Sequence, residues 1–248
     1  MFGVCIRHHF RVTGTIHILD GACHPFTERR FKMSIAKKRA TSAGGAILLL
    51  LLFFLLAWNY HNPYVLSVSN GIQGYLYDSL NQFGSSIFIG ITRLGSGYVS
   101  FPLTGILAIY LIIKRKPWIA LLLIYNLMVV RLFNRFLKTV YAFPRPTLKH
   151  MVDAGYYSFP SGHSMNSIAF YGFLGYLAAN HFKQKGKSTR LIWTVTSILI
   201  FLIGMSRIYL GVHFPTDVIG GFLAGGATLL VTILISTLRP LEQRQHAN

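Results

Sequence analysis

The sequence predicts an all-α integral membrane bundle of six transmembrane helices, with the N- and C-termini in the cytoplasm. Hydrophobic residues make up 52% of the 248-residue chain and charged residues only 12%, which is a membrane composition. Several apolar runs approach the roughly 20 residues needed to cross a bilayer core. Basic residues cluster in short loops between these runs, and such clusters orient a membrane protein. The net charge of +18 therefore indicates the membrane as partner and predicts no nucleic-acid partner.

A polar and basic arm precedes the bundle, over residues 1–42. It has no clear hydrophobic period, so we predict a flexible arm. Met33 is followed by Ser-Ile-Ala-Lys-Lys-Arg, which is typical of the opening of a membrane protein. Two starts, Met1 and Met33, therefore fit the sequence, and with the second one residues 1–32 are a start-site extension.

Six crossings are predicted within a single membrane domain, residues 43–238, followed by a cytoplasmic tail, residues 239–248. The approximate bounds of the crossings are 43–58, 98–113, 118–137, 163–180, 191–207 and 216–238. The first run follows a basic cluster, as a signal peptide does. No small-x-small cleavage pattern follows it, so we interpret it as a membrane helix.

Residues 59–97, between the first two crossings, are mixed in composition. Their apolar residues recur at helical spacing: Val65, Val68, Ile72, Leu76, Leu80 and Phe83. Two interpretations fit this pattern equally well, an amphipathic helix lying in the membrane interface and a short helix capping the bundle.

The basic clusters decide the orientation of the bundle. With six crossings they fall on one side, which is then the cytoplasm; they are residues 37–39, 114–116, 183–190, and Arg239 with Arg244. The opposite side holds few cations: Arg93, Lys138, Arg145, Lys149 and Arg207. Topology does not require these cations, so they need another explanation.

Two stretches near the middle of the chain place cations beside a helix start. The third predicted crossing ends at Lys138, and Arg145 follows between two prolines, which stiffen its backbone position. The fourth crossing opens with Ser161, Gly162 and His163. Serine and glycine at a helix start leave backbone N–H groups available to an anion, with the positive end of the helix dipole behind them.

A third stretch runs from Arg207 through His213 to Asp217. A carboxylate four residues after a histidine fixes the imidazole tautomer and stabilises the charged ring, which makes the imidazole a better nucleophile or base. Because successive crossings alternate in direction, all three stretches arrive at the extracytoplasmic end of the bundle. Cations, arginine forks and backbone amides together predict a phosphate site there.

No metal or other cofactor is predicted for this site. Two-metal phosphatases use carboxylate-rich clusters, whereas the predicted outer side offers only Asp78, Asp153 and Asp217. The expected activity should therefore survive chelators.

The chain resembles the type 2 phosphatidic acid phosphatase superfamily over roughly residues 43–238. The three signature motifs are complete and in order: Lys138-x6-Arg145-Pro146, Pro160-Ser161-Gly162-His163 and Ser206-Arg207-x5-His213-x3-Asp217. Three spaced motifs at predicted helix ends are far more specific than any one of them. Within the superfamily the chain is most similar to bacterial membrane enzymes of the phosphatidylglycerophosphate phosphatase B type, including undecaprenyl diphosphate phosphatases.

The resemblance implies a role for each motif residue. His213 would be the nucleophile that forms a phosphohistidine, with Asp217 orienting it, and His163 would protonate the leaving oxygen and then activate water. The phosphoryl oxygens would be held by the remaining motif residues: Lys138, Arg145, Ser161, Gly162 and Arg207.

The expected function is that of a membrane lipid phosphatase, which removes the terminal phosphate from a lipid phosphate or diphosphate at the extracytoplasmic face. The resemblance favours undecaprenyl diphosphate or phosphatidylglycerol phosphate as substrate. A lipid phosphotransferase is an alternative within the same chemistry. A non-catalytic transporter of lipid phosphates or anions is a more distant one, because transport has no need of an activated histidine.

Further polar residues lie on the same face of the third crossing as Lys138, at Arg131, Asn134 and Arg135. An intramembrane arginine is costly and usually faces the bundle interior. A structural role, in bonding carbonyls or hydroxyls of neighbouring helices, is the favoured interpretation. The alternative is that Arg131 and Arg135 extend the positive field toward a diphosphate. In the last crossing, the glycine pairs at 220–221 and 225–226 predict close helix packing.

Overall fold

The computed structural model describes residues 25–79 and 82–238, together with two short strands in the N-terminal arm. The strands, β1 (Arg11–Val12) and β2 (Thr15–Ile16), form an antiparallel pair. The helices of the described residues are α1 (Pro25–Trp58), α2 (Pro63–Asp78), α3 (Gln82–Leu94), α4 (Gly97–Ile113), α5 (Pro117–Tyr141), α6 (Gly162–Gln184), α7 (Arg190–Tyr209) and α8 (Pro215–Ser236). The all-α class is confirmed for the membrane part of the chain. The predicted tail, residues 239–248, lies outside the described residues.

The first helix is longer than the sequence pattern indicates. α1 begins at Pro25, so residues 25–42 of the predicted arm are helical, and the candidate membrane helix within α1, Ile35–Trp58, contains the predicted crossing 43–58. Alanine, lysine and arginine are good helix formers, so this stretch needs no apolar period to continue the helix. Arg39 Nη2 donates to the Thr237 carbonyl at 2.9 Å, which sets the start of this span beside the end of α8.

Residues 59–97 form two helices, where the sequence pattern predicts one. α2 turns its polar side to the bundle, because Ser69 and Gln73 are buried. Its apolar side chains on the other side are exposed: Tyr64, Val68, Ile72 and Tyr75. α2 therefore covers the bundle as a capping helix does, while its outer side has the apolar character of an interfacial helix.

Four helices of the described residues are long and apolar enough to cross a membrane: the Ile35–Trp58 part of α1, and α5, α7 and α8. A bent pair, Gly84–Leu94 with Gly97–Ile113, adds a fifth if it counts as one span, with 42° between its two parts. Counted as one span, this pair takes in most of α3, which the sequence pattern assigned to the connecting segment. Six spans, and termini in the cytoplasm, stay predictions.

α6 is the central helix, since it packs against α5, α7 and α8, while α1 packs along α8. The contact between α6 and α8 depends on glycine. A Cβ at Gly221 would lie 2.6 Å from the Ser161 carbonyl oxygen, and one at Gly225 would meet the Met165 carbonyl. The prediction of close packing at these glycines is confirmed. It holds the first turns of α6 and α8 side by side.

Candidate active site

The site lies where α5 and α7 end and α6 and α8 begin. The structure brings together there all eight residues that the sequence motifs single out: Lys138, Arg145, Ser161, Gly162, His163, Arg207, His213 and Asp217. Residues 142–161 and 210–214 form the two loops that complete the site. Arg145, Ser158 and His213 are the loop side chains whose contacts join these elements.

His213 and Asp217 form a buried pair. His213 Nδ1 lies 3.2 Å from Asp217 Oδ2, and the two residues are 2% and 0% exposed. Pro215 starts α8, so Asp217 lies in its first turn and can reach back to the preceding loop. With the Nδ1 proton directed at the carboxylate, Nε2 keeps its lone pair. Nε2 lies 3.4 Å from Arg145 Nη1, on the side of the site where the cations gather.

The Asp217 carboxylate accepts from three further donors. The Phe214 amide donates to Oδ2 at 2.8 Å, the Ser158 hydroxyl also donates to Oδ2, and the Tyr60 hydroxyl donates to Oδ1 at 2.9 Å. An ionised carboxylate is acceptor-only and suits this arrangement. Its position is therefore fixed from α8, from the loop before α6 and from the turn after α1.

The protonation states of two site residues follow from their surroundings. Burial lowers the pKa of the His213 imidazole well below its ordinary 6.5, and Arg207 and Lys138 lower it further. The ring is therefore neutral at pH 7 and able to act as a nucleophile. Burial also raises the pKa of the Tyr60 phenol, and the neighbouring Asp217 carboxylate adds to the rise. Tyr60 therefore stays a hydrogen-bond donor.

Lys138 bonds the end of α5 to the loop before α6, and Arg145 bonds that loop to the loop before α8. Lys138 Nζ donates to the Tyr157 carbonyl at 2.5 Å and to the Ser158 carbonyl at 3.1 Å. Arg145 Nη1 donates to the Val212 carbonyl at 2.6 Å, and its Nε donates to Gly155. Burial lowers the pKa of Arg145, against an opposing effect of the Asp217 carboxylate. These contacts fix the positions of two cations next to His213.

Arg207 approaches the site from the end of α7. It is only 3% exposed, and its Nη1 donates to Thr92 Oγ1 at 2.7 Å. Its Nε is buried and has no hydrogen-bond partner among the residues that the structure describes. A buried guanidinium with an unused N–H group is well suited to bind an anion.

The start of α6 supplies backbone donors. Ser161 is its N-cap, and the Ser161 amide donates to the Asp217 carbonyl at 2.9 Å. The amides of Gly162 and His163 belong to the first turn, whose N–H groups have no partner within the helix. The positive end of the α6 dipole therefore faces the site. His163 is near enough to His213 and Arg207 for electrostatic interaction with both.

Sequence motifs missed four residues that contact the site. Tyr60 and Ser158 bind Asp217, Thr92 binds Arg207, and Gln73 Nε2 donates to the His213 carbonyl at 3.2 Å. Only Ser158, two residues before Pro160, lies close enough to a motif to be found from the sequence.

Within the described parts of the chain, no group of three or more His, Cys, Asp or Glu side chains could hold a metal ion. The charged and polar groups instead form an anion site with an activated imidazole beside it. This combination suits transfer of a phosphoryl group to nitrogen.

Such a site at the end of a helical membrane bundle defines a class of membrane-embedded phosphoryl-transfer proteins. The model of the PAP2 superfamily matches residues 117–240, and the chain belongs to this superfamily. The sequence is 36% identical over 141 residues to phosphatidylglycerophosphatase B of Bacillus subtilis (strain 168), covering 57% of this chain and 70% of that one. It is 28% identical over 167 residues to undecaprenyl-diphosphatase of Sulfolobus acidocaldarius, covering 64% of this chain and 74% of that one.

The fold matches that of a solved relative. The crystal structure of the first transmembrane PAP2-type phosphatidylglycerolphosphate phosphatase from Bacillus subtilis superposes with a TM-score of 0.72 at 32% identity, covering 75% of this chain and 93% of that one. The comparisons and the apolar helices together support a multi-pass membrane lipid phosphatase.

Proposed function

We propose that the protein removes the terminal phosphate from a lipid phosphate or diphosphate at the extracytoplasmic face, through a phosphohistidine and without metal. The observation that carries this proposal is the buried His213–Asp217 pair, in which Nδ1 lies 3.2 Å from the carboxylate and Nε2 lies 3.4 Å from Arg145 Nη1. The names of the relatives favour undecaprenyl diphosphate or phosphatidylglycerol phosphate as substrate. The bundle would cross the membrane six times with both termini in the cytoplasm.

In the first step, His213 Nε2 attacks phosphorus. The N–P bond forms while the bond from phosphorus to the leaving oxygen breaks, and His163 gives that oxygen a proton. Asp217 accepts from Nδ1–H and stabilises the positive ring. Lys138, Arg145 and Arg207 neutralise the phosphoryl oxygens, while Ser161 and the Gly162 amide provide hydrogen bonds at the helix start.

In the second step, His163 removes a proton from water, and the water oxygen attacks phosphorus. The N–P bond breaks, inorganic phosphate leaves, and both histidines return to their starting state. A transferase would accept an alcohol or phosphate in place of water, so product analysis with and without an acceptor separates the two reactions.

The test is phosphate release by the purified full-length chain in detergent with excess EDTA. Undecaprenyl diphosphate, phosphatidylglycerol phosphate and phosphatidic acid are compared as substrates. His213→Ala should lower kcat by at least about 1,000-fold, because the nucleophile is lost. His181→Ala is the matched control, since His181 is exposed at the other end of α6.

The wild type should become labelled by a ³²P-labelled substrate, and acid should remove the label. His213→Ala should not become labelled, which would identify the phosphohistidine. Release that requires added metal, or that persists in His213→Ala, would contradict the mechanism. Lipid phosphate binding without any release would instead favour the transporter.

The side of the membrane needs its own test. Tyr156, in the loop before α6, is 95% exposed. In a chain whose two native cysteines are replaced, Tyr156→Cys should react with a membrane-impermeant thiol reagent added to intact cells. Labelling only after the cells are opened would place the site on the cytoplasmic side.

A further inference from the structure

A cavity of about 90 Å³ lies beside His163, on the side that faces α5 and the turn between α3 and α4. It is lined by Gly95, Val130, Arg131, Asn134, Gly162, His163 and Asn166, and we call it the Arg131 cavity. This is several times the roughly 10–15 Å³ that one water molecule needs in a cavity, so a polar group larger than water has room here. Of the catalytic and phosphate-binding residues named above, only Gly162 and His163 line it.

Arg131 is the charged group of this cavity. Its Nη2 donates to Ser100 Oγ at a long 3.3 Å, and the guanidinium carbon lies 5.0 Å from the centre of the Phe101 ring. Its Nε is buried and has no hydrogen-bond partner within the described part of the chain. The sequence favours a structural role for Arg131, in bonding neighbouring helices. The structure supports this role only in part, because one long hydrogen bond and one ring contact leave N–H donors of the guanidinium unused.

Asn166 adds a second unsatisfied polar group on the α6 wall. It is 2% exposed, and its Nδ2 donates to the Gly95 carbonyl at 3.1 Å. Its Oδ1 has no partner among the described residues. Buried polar atoms without partners are rare in native structures and often mark a place for a ligand or water. Arg131 and Asn166 therefore indicate a polar occupant.

The turn between α3 and α4 places Gly95 on the cavity wall and Gly97 against Arg131. A Cβ at Gly95 would lie 3.1 Å from His163 Cδ2, and one at Gly97 would lie 2.9 Å from Arg131 Nη2. Any larger residue in this turn would take up the space beside the two side chains. The turn thus borders His163 and Arg131 with bare backbone.

We propose that the Arg131 cavity is a second phosphate subsite, which receives the inner phosphate of a lipid diphosphate. This inference rests on the proposed function, since it takes His163 as the acid that protonates the leaving oxygen. The group attached to that oxygen must lie beside His163, away from the phosphorus under attack, and the cavity lies beside His163. A guanidinium with unused donors matches phosphate oxygens in charge and geometry.

The subsite would act on the leaving group. When the bond from the terminal phosphorus to the bridging oxygen breaks, that oxygen takes the His163 proton and departs as part of a lipid monophosphate. Arg131 holds the remaining charge of this product. When the substrate is a lipid monophosphate such as phosphatidic acid, the leaving group is an uncharged alcohol, and no second phosphate lies near Arg131. The subsite therefore favours diphosphates over monophosphates.

The test measures kcat/KM of the purified full-length protein for undecaprenyl diphosphate and for phosphatidic acid, and compares their ratio between variants. Arg131→Gln should lower the ratio of diphosphate to monophosphate about 10- to 100-fold, because a charged hydrogen bond to one substrate is lost. Arg131→Lys keeps the charge but not the two-pronged donor geometry of arginine, so its ratio should lie between those of the wild type and Arg131→Gln. Arg135→Gln should leave the ratio unchanged, because Arg135 is exposed one turn further along α5 and does not line the cavity, which removes it from the alternative that paired it with Arg131.

A second measurement needs no variant. Inorganic pyrophosphate should inhibit phosphatidic acid hydrolysis by the wild type at a concentration at least about 10-fold lower than inorganic phosphate does, because it occupies both subsites. Equal inhibition by the two anions would overturn the proposal. So would an unchanged ratio in Arg131→Gln, or an equal loss on both substrates, which identifies a structural role. A wild type inactive on every lipid phosphate would refute the proposed function instead.

Discussion

Tyr60→Phe tests how much the reaction depends on a residue outside the sequence motifs. The Tyr60 hydroxyl donates to Asp217 Oδ1 at 2.9 Å and is 2% exposed. The ring packs 4.2 Å from Phe143 and 5.1 Å from Phe159, measured between ring centres. Phenylalanine fills the same volume, so the substitution removes the hydrogen bond and keeps the packing.

The magnitude follows from the carboxylate's remaining partners. A buried hydrogen bond to a charged group contributes about 1.5–3 kcal/mol, and each 1.36 kcal/mol corresponds to a factor of ten in rate. Asp217 keeps the Phe214 amide, the Ser158 hydroxyl and the His213 ring as partners, which limits its movement. We therefore expect kcat to fall about 10-fold, near the lower end of that range, with KM changed less than about 2-fold.

The pH profile distinguishes positioning from a loss of folding. Without the Tyr60 donor, the Asp217 charge is less neutralised and attracts the His213 imidazolium more strongly. The pKa of His213 therefore rises from its lowered value, and the acidic limb of kcat/KM moves to higher pH. A merely structural defect lowers the amount of active protein and leaves the limb in place.

The assay measures phosphate release from phosphatidic acid in detergent with EDTA, between pH 4.5 and 8.5. Tyr141→Phe is the matched control, because its ring contacts the same Phe159 at 5.3 Å and the donors to Asp217 do not include its hydroxyl. The reasoning is refuted if Tyr60→Phe retains kcat within 2-fold and an unshifted acidic limb.

Two further predictions concern stability. Gly221→Ala would bring a methyl group 2.6 Å from the Ser161 carbonyl and should lower the free energy of unfolding by about 1–3 kcal/mol, measured as a lower Tm. Gly105→Ala is the control, because the space around its Cβ position is open, and it should not lower the Tm. Equal Tm values for the two variants would contradict the close packing. The folded-state pKa of His213 is below its ordinary value, so the neutral ring is favoured in the folded protein. The contribution of His213 to the free energy of unfolding is therefore complete above about pH 6.5 and is lost as pH falls toward the folded pKa. The loss is at most about 1.4 kcal/mol per pH unit. The wild type should therefore lose more stability than His213→Gln between pH 7 and 5 in thermal unfolding, and parallel losses would oppose this.

The motif residues could be found from the sequence because each lies at the end of an apolar run. There a charge or a proline stands out against its neighbours, and alternating crossings bring the ends together. Tyr60 has no such local signal: its partner Asp217 is 157 positions away, and a tyrosine after a membrane helix is typical of an interfacial belt. Contacts of this kind depend on how helices pack, which no local pattern records.

The turn between α3 and α4 shows a different limit. Gly95-Ser96-Gly97 lies where α3 ends and α4 begins, and the low helix propensity of glycine favours a break in the helix there. The structure continues beyond it with α4 at 42° to the end of α3. A tertiary reason accounts for the glycines, because a Cβ at Gly95 would press on Ile203 and His163, and one at Gly97 would press on Arg131. The sequence analysis predicts the second crossing from residue 98, close to the start of α4 at Gly97, but no local pattern records the contacts that these glycines make.

α6 lies at the centre of the bundle, but its hydropathy alone does not identify it as a membrane span. Its first turns carry Ser164, Asn166 and Ser167, all buried and each donating a hydrogen bond within the protein. Polar groups buried in this way do not face lipid, yet a hydropathy window counts them against a membrane span. A helix surrounded by other helices also needs less apolar surface than one at the edge. The helix that carries His163 is 23 residues long but is not one of the described helices that are apolar enough to cross a membrane, because it places small and polar residues at the centre of the bundle.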